Sequence, residues 1–519
     1  MFSQLFESLL ITLFNWVRCR WSSPALRQQP VEPSVPPPDH VALGRVIASP
    51  GGAPDAASND LPKPGMVTLS PAEFLRHLYV LGATGCGKTN LLMQIIEADI
   101  ASRRAFCAID LRGDLIDRIL IRMAHAAPVE EWRTRLLLID LRQSEHIVGF
   151  NPLAGEGTAY NRALHVLSVL KQQSESWGIQ LEETLRNCLI ALAESGWSLL
   201  ELEPLLSDAS FRAAVVKQVS DPYVRAFFAR FEELSPANQL SWAMAVLNKV
   251  TPLLAVPELR LMVGQRQSFS FRTLLDSVPG MSILIALDLA KLHEAACLTG
   301  GLFVSAFQTA IMSRTDQKES ERVPAHLYLD EFENMASDRF ESIVAEGRRF
   351  GLGLCLSHQN VSQLSPRLRS VLRNNVHTQI YFQTGALDAA ELAREITGVD
   401  PEEDVRTTLI TQKMGEAYVI RRGEASLRIK TLHSPDPDVD PEVVKAMCEA
   451  SFATYARPAS EVEQELKERE QQSTSLSGQA GSDEKPPYEI RHADTTQFKP
   501  KDHEPQSHQP RGPSSQSSN

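Results

Sequence analysis

The sequence has little with which to bind metal. Its seven cysteines, Cys19, Cys86, Cys107, Cys188, Cys297, Cys355 and Cys448, are scattered, odd in number and nowhere spaced as CxxC. Its thirteen histidines contain no HxxxH. A structural or catalytic zinc site therefore lacks support, and the cysteine usage fits a reducing cytosol. Basic charge is in deficit too, with 52 Lys and Arg against 64 Asp and Glu for a formal net charge of -12. That excludes a surface coated with basic residues for non-specific nucleic-acid binding, while a local basic channel survives the argument. Aromatics make up 7% of the chain and do not interleave with basic clusters, so the stacking platforms of single-strand binders are missing.

The amino-terminal stretch 1–17 is apolar, but it carries Glu7 and Asn15. It falls short of the roughly 20 predominantly apolar residues of a spanning helix and lacks a basic region ahead of it. Residues 1–27 are expected to form a short helix, which either lies at a membrane surface, with Trp16, Arg18 and Arg20 at the headgroups, or docks on protein. Residues 28–64 include Pro36-Pro37-Pro38 and read as an extended linker. Residues 458–519 are Ser, Gln, Glu, Pro and Lys with few aliphatics, and are expected to be disordered.

Between these ends the chain has the means to fold. Of its 519 residues 43% are hydrophobic and 22% charged, which suits a soluble protein of one large domain with an insertion, or of two domains. Short apolar runs at Leu78–Leu81, Ala105–Ile109, Leu136–Ile139, Ile283–Leu287, Leu327–Leu329, Leu354–Leu356 and Ile380–Phe382 read as parallel strands buried on both faces. From 154 to 265 the pattern is helical throughout, with Leu181, Leu185, Leu189 and Leu192 on one face. The expected fold is α/β, a mostly parallel sheet over 65–153 and 266–457 interrupted by an all-helical domain.

The chemistry begins at Gly82-Ala83-Thr84-Gly85-Cys86-Gly87-Lys88-Thr89, which satisfies GxxxxGK[ST] after a strand and before a helix. Backbone N–H groups of such a loop wrap phosphates, Lys88 reaches the β- and γ-phosphates of ATP, and Thr89 holds Mg²⁺. Cys86, near a helix N-terminus, is expected to be an acidic, reactive thiol. The strand ending His326-Leu327-Tyr328-Leu329-Asp330-Glu331 supplies the other half: Asp330 for Mg²⁺ and Glu331 to activate water. Gln359, at the end of the following strand, is either a sensor of the γ-phosphate or a loop capper. Arg367, Arg369 and Arg373 either line a nucleic-acid channel or form a solvated helix face.

Taken together, Arg76-His77-Leu78, the loop Gly82 to Thr89, Asp110-Leu111-Arg112-Gly113-Asp114, Asn151-Pro152-Leu153, Asp330-Glu331-Phe332, Gly347-Arg348 and Gln359 resemble the type IV secretion coupling proteins. These are conjugative DNA-transfer ATPases of the HerA/FtsK superfamily, and the resemblance spans Arg76 to Leu432. It implies a RecA-like P-loop core with an all-alpha insertion, a homohexameric ring that drives DNA through its pore with ATP and Mg²⁺, and secretion or relaxosome proteins as partners. It implies that Arg76 and Arg348 face a neighbouring subunit's nucleotide and that Gln359 is the sensor. It places the protein in the cytoplasm, with peripheral contact to the inner face of the membrane through the first helix. The chain departs from the family in having Asp110-Leu111-Arg112-Gly113-Asp114 where Asp-Pro-x-Gly-Asp is usual, and in the shortness of its amino-terminal apolar segment. A DNA-end-processing translocase of the HerA kind and a protein-secretion ATPase are the alternatives.

Overall fold

A computed structural model describes residues 40–47, 65–174, 176–266, 268–336, 340–396 and 402–476. The expected helix at 1–27 lies outside them, as does most of the expected linker and the tail beyond 476. The strands are β1 (Val41–Val46), β2 (Met66–Leu69), β3 (Leu78–Leu81), β4 (Ala105–Asp110), β5 (Leu136–Asp140), β6 (His146–Val148), β7 (Ser282–Ala286), β8 (Ala325–Asp330), β9 (Leu352–His358), β10 (Thr378–Tyr381), β11 (Glu416–Arg421), β12 (Leu427–Thr431) and β13 (Ala456–Pro458).

Eleven strands make one sheet in the order β2-β1-β12-β11-β10-β3-β9-β8-β4-β7-β5. From β10 to β5 neighbours run parallel, and from β10 to β2 they run antiparallel. The parallel half holds the apolar runs expected from the sequence, and its side chains alternate between two cores as period-two geometry requires. Leu78, Val80, Phe106, Ala108 and Leu284 face one core, where the helices Lys88–Ala101 and Asp114–Ala126 pack through Leu91, Ile95, Ile116 and Ile119. Tyr79, Leu81, Cys107, Ile109 and Ile285 face the other, under the helix Glu294–Met312. That helix begins the one unbroken segment among the described residues, Glu294–Asp316, that is long and apolar enough to cross a membrane; 78% of its most apolar window is buried inside the fold.

Between β6 and β7 the described residues from Ala159 to Gly264 form helices only. Their apolar side chains, among them Leu185, Leu189, Phe227 and Phe231, run without a break into the core beneath Ile109 and Ile285. The inserted segment therefore leans on the sheet rather than standing apart from it.

Two expectations about the ends are corrected. Residues 41–46 lie inside the stretch read as linker, yet they form β1, between β2 and β12. Gly44, which composition assigns to a loop, is there because β12 passes so close that a Cβ would collide with the carbonyl of Lys430. Residues 459–476, read as the start of a disordered tail, form a helix, Ala459–Leu476. Its polar composition hides a narrow apolar stripe: Val462 is fully buried and Leu466 lies beside Gly264. Arg469 adds an ion pair to Glu201 at 3.0 Å and a hydrogen bond to the Gly264 carbonyl at 2.6 Å. Two apolar residues four apart and a buried ion pair suffice to dock a helix that composition alone would leave in solvent.

Candidate active site

Register puts the candidate residues at one level. Leu81 of β3 pairs with His358 of β9, and Ser357 of β9 with Asp330 of β8. Gly82, Gln359 and Glu331 therefore leave adjacent strands at the carboxyl edge of the sheet, the place where ligands bind in open α/β folds. The loop after β3 turns into the helix Lys88–Ala101 at Gly87, whose φ of 116° suits glycine. The Lys88 ammonium donates to the carbonyls of Gly82 at 2.6 Å and Ala83 at 3.0 Å, so it lies across the mouth of its own loop. Thr89 follows it in the first turn of that helix.

Asp330 is half-buried at the end of β8. Burial pushes its carboxyl above the usual range, opposed by the Ser357 hydroxyl, which donates to it at 2.8 Å. A carboxylate at the end of a strand beside the phosphate-loop strands, with a threonine following the loop lysine, is an oxygen donor set that suits Mg²⁺, an ion held through one or two carboxylates plus substrate phosphates. Asp330 and Thr89 are the residues that would hold it. Glu333, which the sequence reading did not single out, lies three residues beyond Asp330, and burial pushes it up to about 7, with Glu331 and Asp330 adding to the rise.

Glu331 adopts the left-handed conformation, φ 52° and ψ 42°, which non-glycine residues visit seldom. Its Oε1 accepts from Gln359 Nε2 at 2.8 Å and from Arg112 Nη2 at 2.9 Å. Gln359 in turn accepts from the Thr84 hydroxyl at 3.1 Å. A hydrogen-bonded chain, Thr84 to Gln359 to Glu331 to Arg112, thus crosses the ends of β3, β9, β8 and β4, which are neighbours in the sheet. The amide of Gln359 spans the phosphate loop and the acid, which favours the sensor reading over the capper. Arg112 was missed because the sequence offers only its place in a loop, and nothing in spacing aims it at Glu331.

Arg76 and Arg348 lie elsewhere. Arg76 precedes β3 and Arg348 precedes β9, so both stand at the amino edge, roughly 20 Å from the phosphate loop across a seven-residue strand. Arg76 Nη1 meets the His377 ring at 3.2 Å. Arg348 is exposed, and among the described residues no hydrogen bond or ion pair holds its guanidinium. Between them His77 is buried, its Nδ1 accepting from Leu354 N at 3.1 Å. Burial pushes the His77 ring down to about 4, and the charge of Arg348 adds to this.

Three further readings meet the structure. Cys86 is not the acidic thiol expected: it is 3% exposed among core side chains, and burial raises its pKa against the pull of Lys88. The arginines of the helix Pro366–Asn375 are neutralised locally, Arg367 by Glu341 at 2.7 Å, Arg373 by Glu391 at 2.5 Å and Glu395 at 2.7 Å, and Arg369 by Glu391 at 3.6 Å. This is the solvated-face reading. Asn151 is buried and bonds Leu153 N and the Trp197 carbonyl, a loop brace rather than a site residue.

Residues 324–430 match the family described as the TraM recognition site of TraD and TraG. The match runs from the strand that carries Asp330 through Glu331, Arg348 and Gln359 into β12. No curated protein matches the chain significantly. Among solved structures, the chain resembles the bacterial conjugative coupling protein TrwBdeltaN70 at 17% identity, covering 72% of this chain and 89% of that one with a TM-score of 0.53. It resembles the plasmid coupling protein TrwB in complex with the ATP analogue ADPNP at 16% identity, covering 77% and 95% with a TM-score of 0.52. VirB4 of Thermoanaerobacter pseudethanolicus is similar at 13% identity, covering 76% and 96% with a TM-score of 0.51. Residues 324 to 430 thus match the model of the TraM recognition site of TraD and TraG, and the chain has the RecA-like α/β fold seen in the conjugative coupling proteins it resembles.

Proposed function

We propose that the protein is a P-loop ATPase that couples hydrolysis at subunit interfaces of a homohexameric ring to the passage of DNA, on the cytoplasmic side of a conjugation or secretion apparatus. The observation that carries the reading is the division of the site between two edges of one sheet. The phosphate loop, Asp330, Glu331 and Gln359 gather at the carboxyl edge, while Arg348 stands exposed at the amino edge with no partner among the described residues, free to meet another subunit's nucleotide. Phosphates of ATP would take over the Lys88 hydrogen bonds now made by Gly82 and Ala83. Their charge is neutralised in part by Mg²⁺ when it is bound. Glu331 takes a proton from water as the water oxygen bonds the γ-phosphorus and the bond to the β–γ bridging oxygen breaks, leaving ADP and phosphate. TrwB has been solved with ADP and Mg²⁺ and with ADPNP, which supports the same nucleotide here. The family match over 324–430 supports a relaxosome protein of the TraM kind as partner.

The local neutralisation of Arg367, Arg369 and Arg373 favours a second reading, in which the cargo is a polypeptide. ATP turnover with and without DNA separates the two. We expect DNA to raise turnover several-fold at low salt and less at high salt, as phosphate contacts require. Turnover that DNA leaves unchanged and a secretion substrate stimulates would replace the DNA reading with the polypeptide one.

A further inference from the structure

We infer that Arg112 is a positioning residue for hydrolysis, one that holds the water-activating carboxylate in its working orientation. The inference rests on the ATPase reading above and goes beyond it. Glu331 sits at the end of β8, flanked in the sheet by β9 and β4. Each flank sends one donor to the same oxygen: Gln359 Nε2 reaches Oε1 at 2.8 Å and Arg112 Nη2 reaches it at 2.9 Å. No described residue donates to Oε2. A carboxylate pinned through one oxygen from both sides presents the other, so Oε2 is the atom that faces water.

The Arg112 backbone is itself fixed. Asp110, buried at the end of β4, accepts from Arg112 N at 2.9 Å through Oδ1 and from Leu115 N at 2.8 Å through Oδ2. The loop that departs from Asp-Pro-x-Gly-Asp is thus anchored to the strand beside β8 and aims its one long cation at Glu331. Because the Arg112 side chain is 59% exposed and the Glu331 side chain 15%, the pair belongs to the open mouth of the site and can be removed without opening the core. An ordinary surface ion pair would have the same distance. It would not share its acceptor oxygen with the sensor amide, nor would its loss act through Glu331 alone.

The test compares wild type, Arg112→Ala, Arg112→Lys, Glu331→Gln and the double variant Arg112→Ala/Glu331→Gln. ATP turnover, affinity for a non-hydrolysable ATP analogue and melting temperature are measured on each. For Arg112→Ala we expect kcat to fall about 10–100-fold, the range for a misplaced reacting group, with KM, analogue affinity and melting temperature unchanged. Arg112→Lys should recover part of the loss, since an ammonium keeps the charge and gives up the planar fork. In the Glu331→Gln background Arg112→Ala should change turnover no further. The inference falls if Arg112→Ala turns over at or above the wild-type rate, if analogue affinity falls in step with kcat, or if the loss persists undiminished in the Glu331→Gln background. A wild-type chain that hydrolyses no ATP in any condition removes the ATPase reading itself, a different result from an active wild type indifferent to Arg112.

Discussion

The two edges of the parallel sheet are built in opposite ways. At the carboxyl edge Lys88, Thr84, Gln359, Glu331 and Arg112 are bonded to one another or to their own loop, and Asp330 accepts from Ser357. At the amino edge Arg348 reaches into solvent above a buried, neutral His77. Arg348 stands one strand-length away from the phosphate loop, too far to serve a nucleotide bound in its own subunit. On the proposed reading, the difference is one between nucleotide binding and water activation, which one subunit would supply, and a charge that it would offer outward to a neighbour.

The largest effect should come from breaking that outward offer. Arginine fingers contribute about 10³–10⁵ in rate, so Arg348→Ala assemblies should be nearly inactive. Glu331→Gln assemblies should be nearly inactive as well. Mixed during assembly, the two should regain part of the activity, because a site on the Arg348→Ala subunit keeps Glu331 and borrows Arg348 from its neighbour. A mixing titration with no recovery, subunit exchange having been verified by fluorescence, would return Arg348 to a local role and collapse the distinction between the edges.

The carboxyl edge should divide internally by a smaller factor. Loss of a general base costs about 10²–10⁴, so Glu331→Gln should bind ATP with near wild-type affinity and turn over slowly by that factor. Lys88→Ala should lose the binding itself, because the side chain that would meet the phosphates is gone. Equal affinities measured by fluorescent-nucleotide titration for both variants would show that Lys88 is not a phosphate ligand.

Acid tests the amino edge. His77 is pushed from 6.5 to about 4, so the unfolded chain binds a proton that the native one refuses between those values. Stability from this group is fully present above pH 6.5 and is lost as pH falls to 4, by ~3 kcal/mol for a shift of that size. Raised carboxyls such as Glu333 work in the opposite sense, so the informative quantity is the difference between wild type and His77→Asn. Asparagine tolerates the positive φ of 70° at this position and keeps an acceptor for Leu354 N. Urea midpoints at pH 7.5 and pH 5 should differ less in His77→Asn than in wild type, and equal differences would mean that the His77 ring is not held neutral.

Much of this was legible before any coordinates, and unevenly so. The seven parallel strands announced themselves because burial on both faces leaves an uninterrupted apolar run, as in Leu78–Leu81 and Ala105–Ile109. The antiparallel half did not: β1 holds a glycine and an arginine, and β12 alternates Leu, Arg, Ile and Lys, so local composition reads as loop or surface. The candidate phosphate loop stood out because GxxxxGK[ST] follows a strand and opens a helix, and Asp330 and Glu331 stood out because they end an apolar strand. Arg112 was not, since its target lies 219 residues downstream and only the strand order brings the two together. The helix Ala459–Leu476 hid for a related reason, its one buried valine being too sparse a signal against so many glutamates and glutamines.

The smallest effect concerns Cys86, where the structure reverses what its position promised. A thiol near a helix N-terminus and one residue from Gly87 should be acidic if it faces the phosphates. Here the side chain points the other way: Sγ fills the space where a Cβ on Gly82 would stand, at 2.7 Å from that position, and the thiol belongs to the core beside Phe382. Burial therefore dominates over the helix terminus and Lys88, and the thiolate fraction at neutral pH is small. Burial raises the Cys297 thiol as well and pushes Cys448 up to about 11, so access decides: an alkylating reagent at pH 7.5 should modify the more open Cys297 ahead of Cys86, and ATP should protect nothing measurable at Cys86 over the time in which Cys297 reacts. Mass spectrometry of the digested protein, with and without ATP, reads each cysteine separately. Modification of Cys86 as fast as that of Cys297, and suppressed by ATP, would mean that the loop opens far enough to turn the thiol outward. In that case the carboxyl edge would be the more mobile of the two, and the comparison drawn from its bonded side chains would have to be inverted.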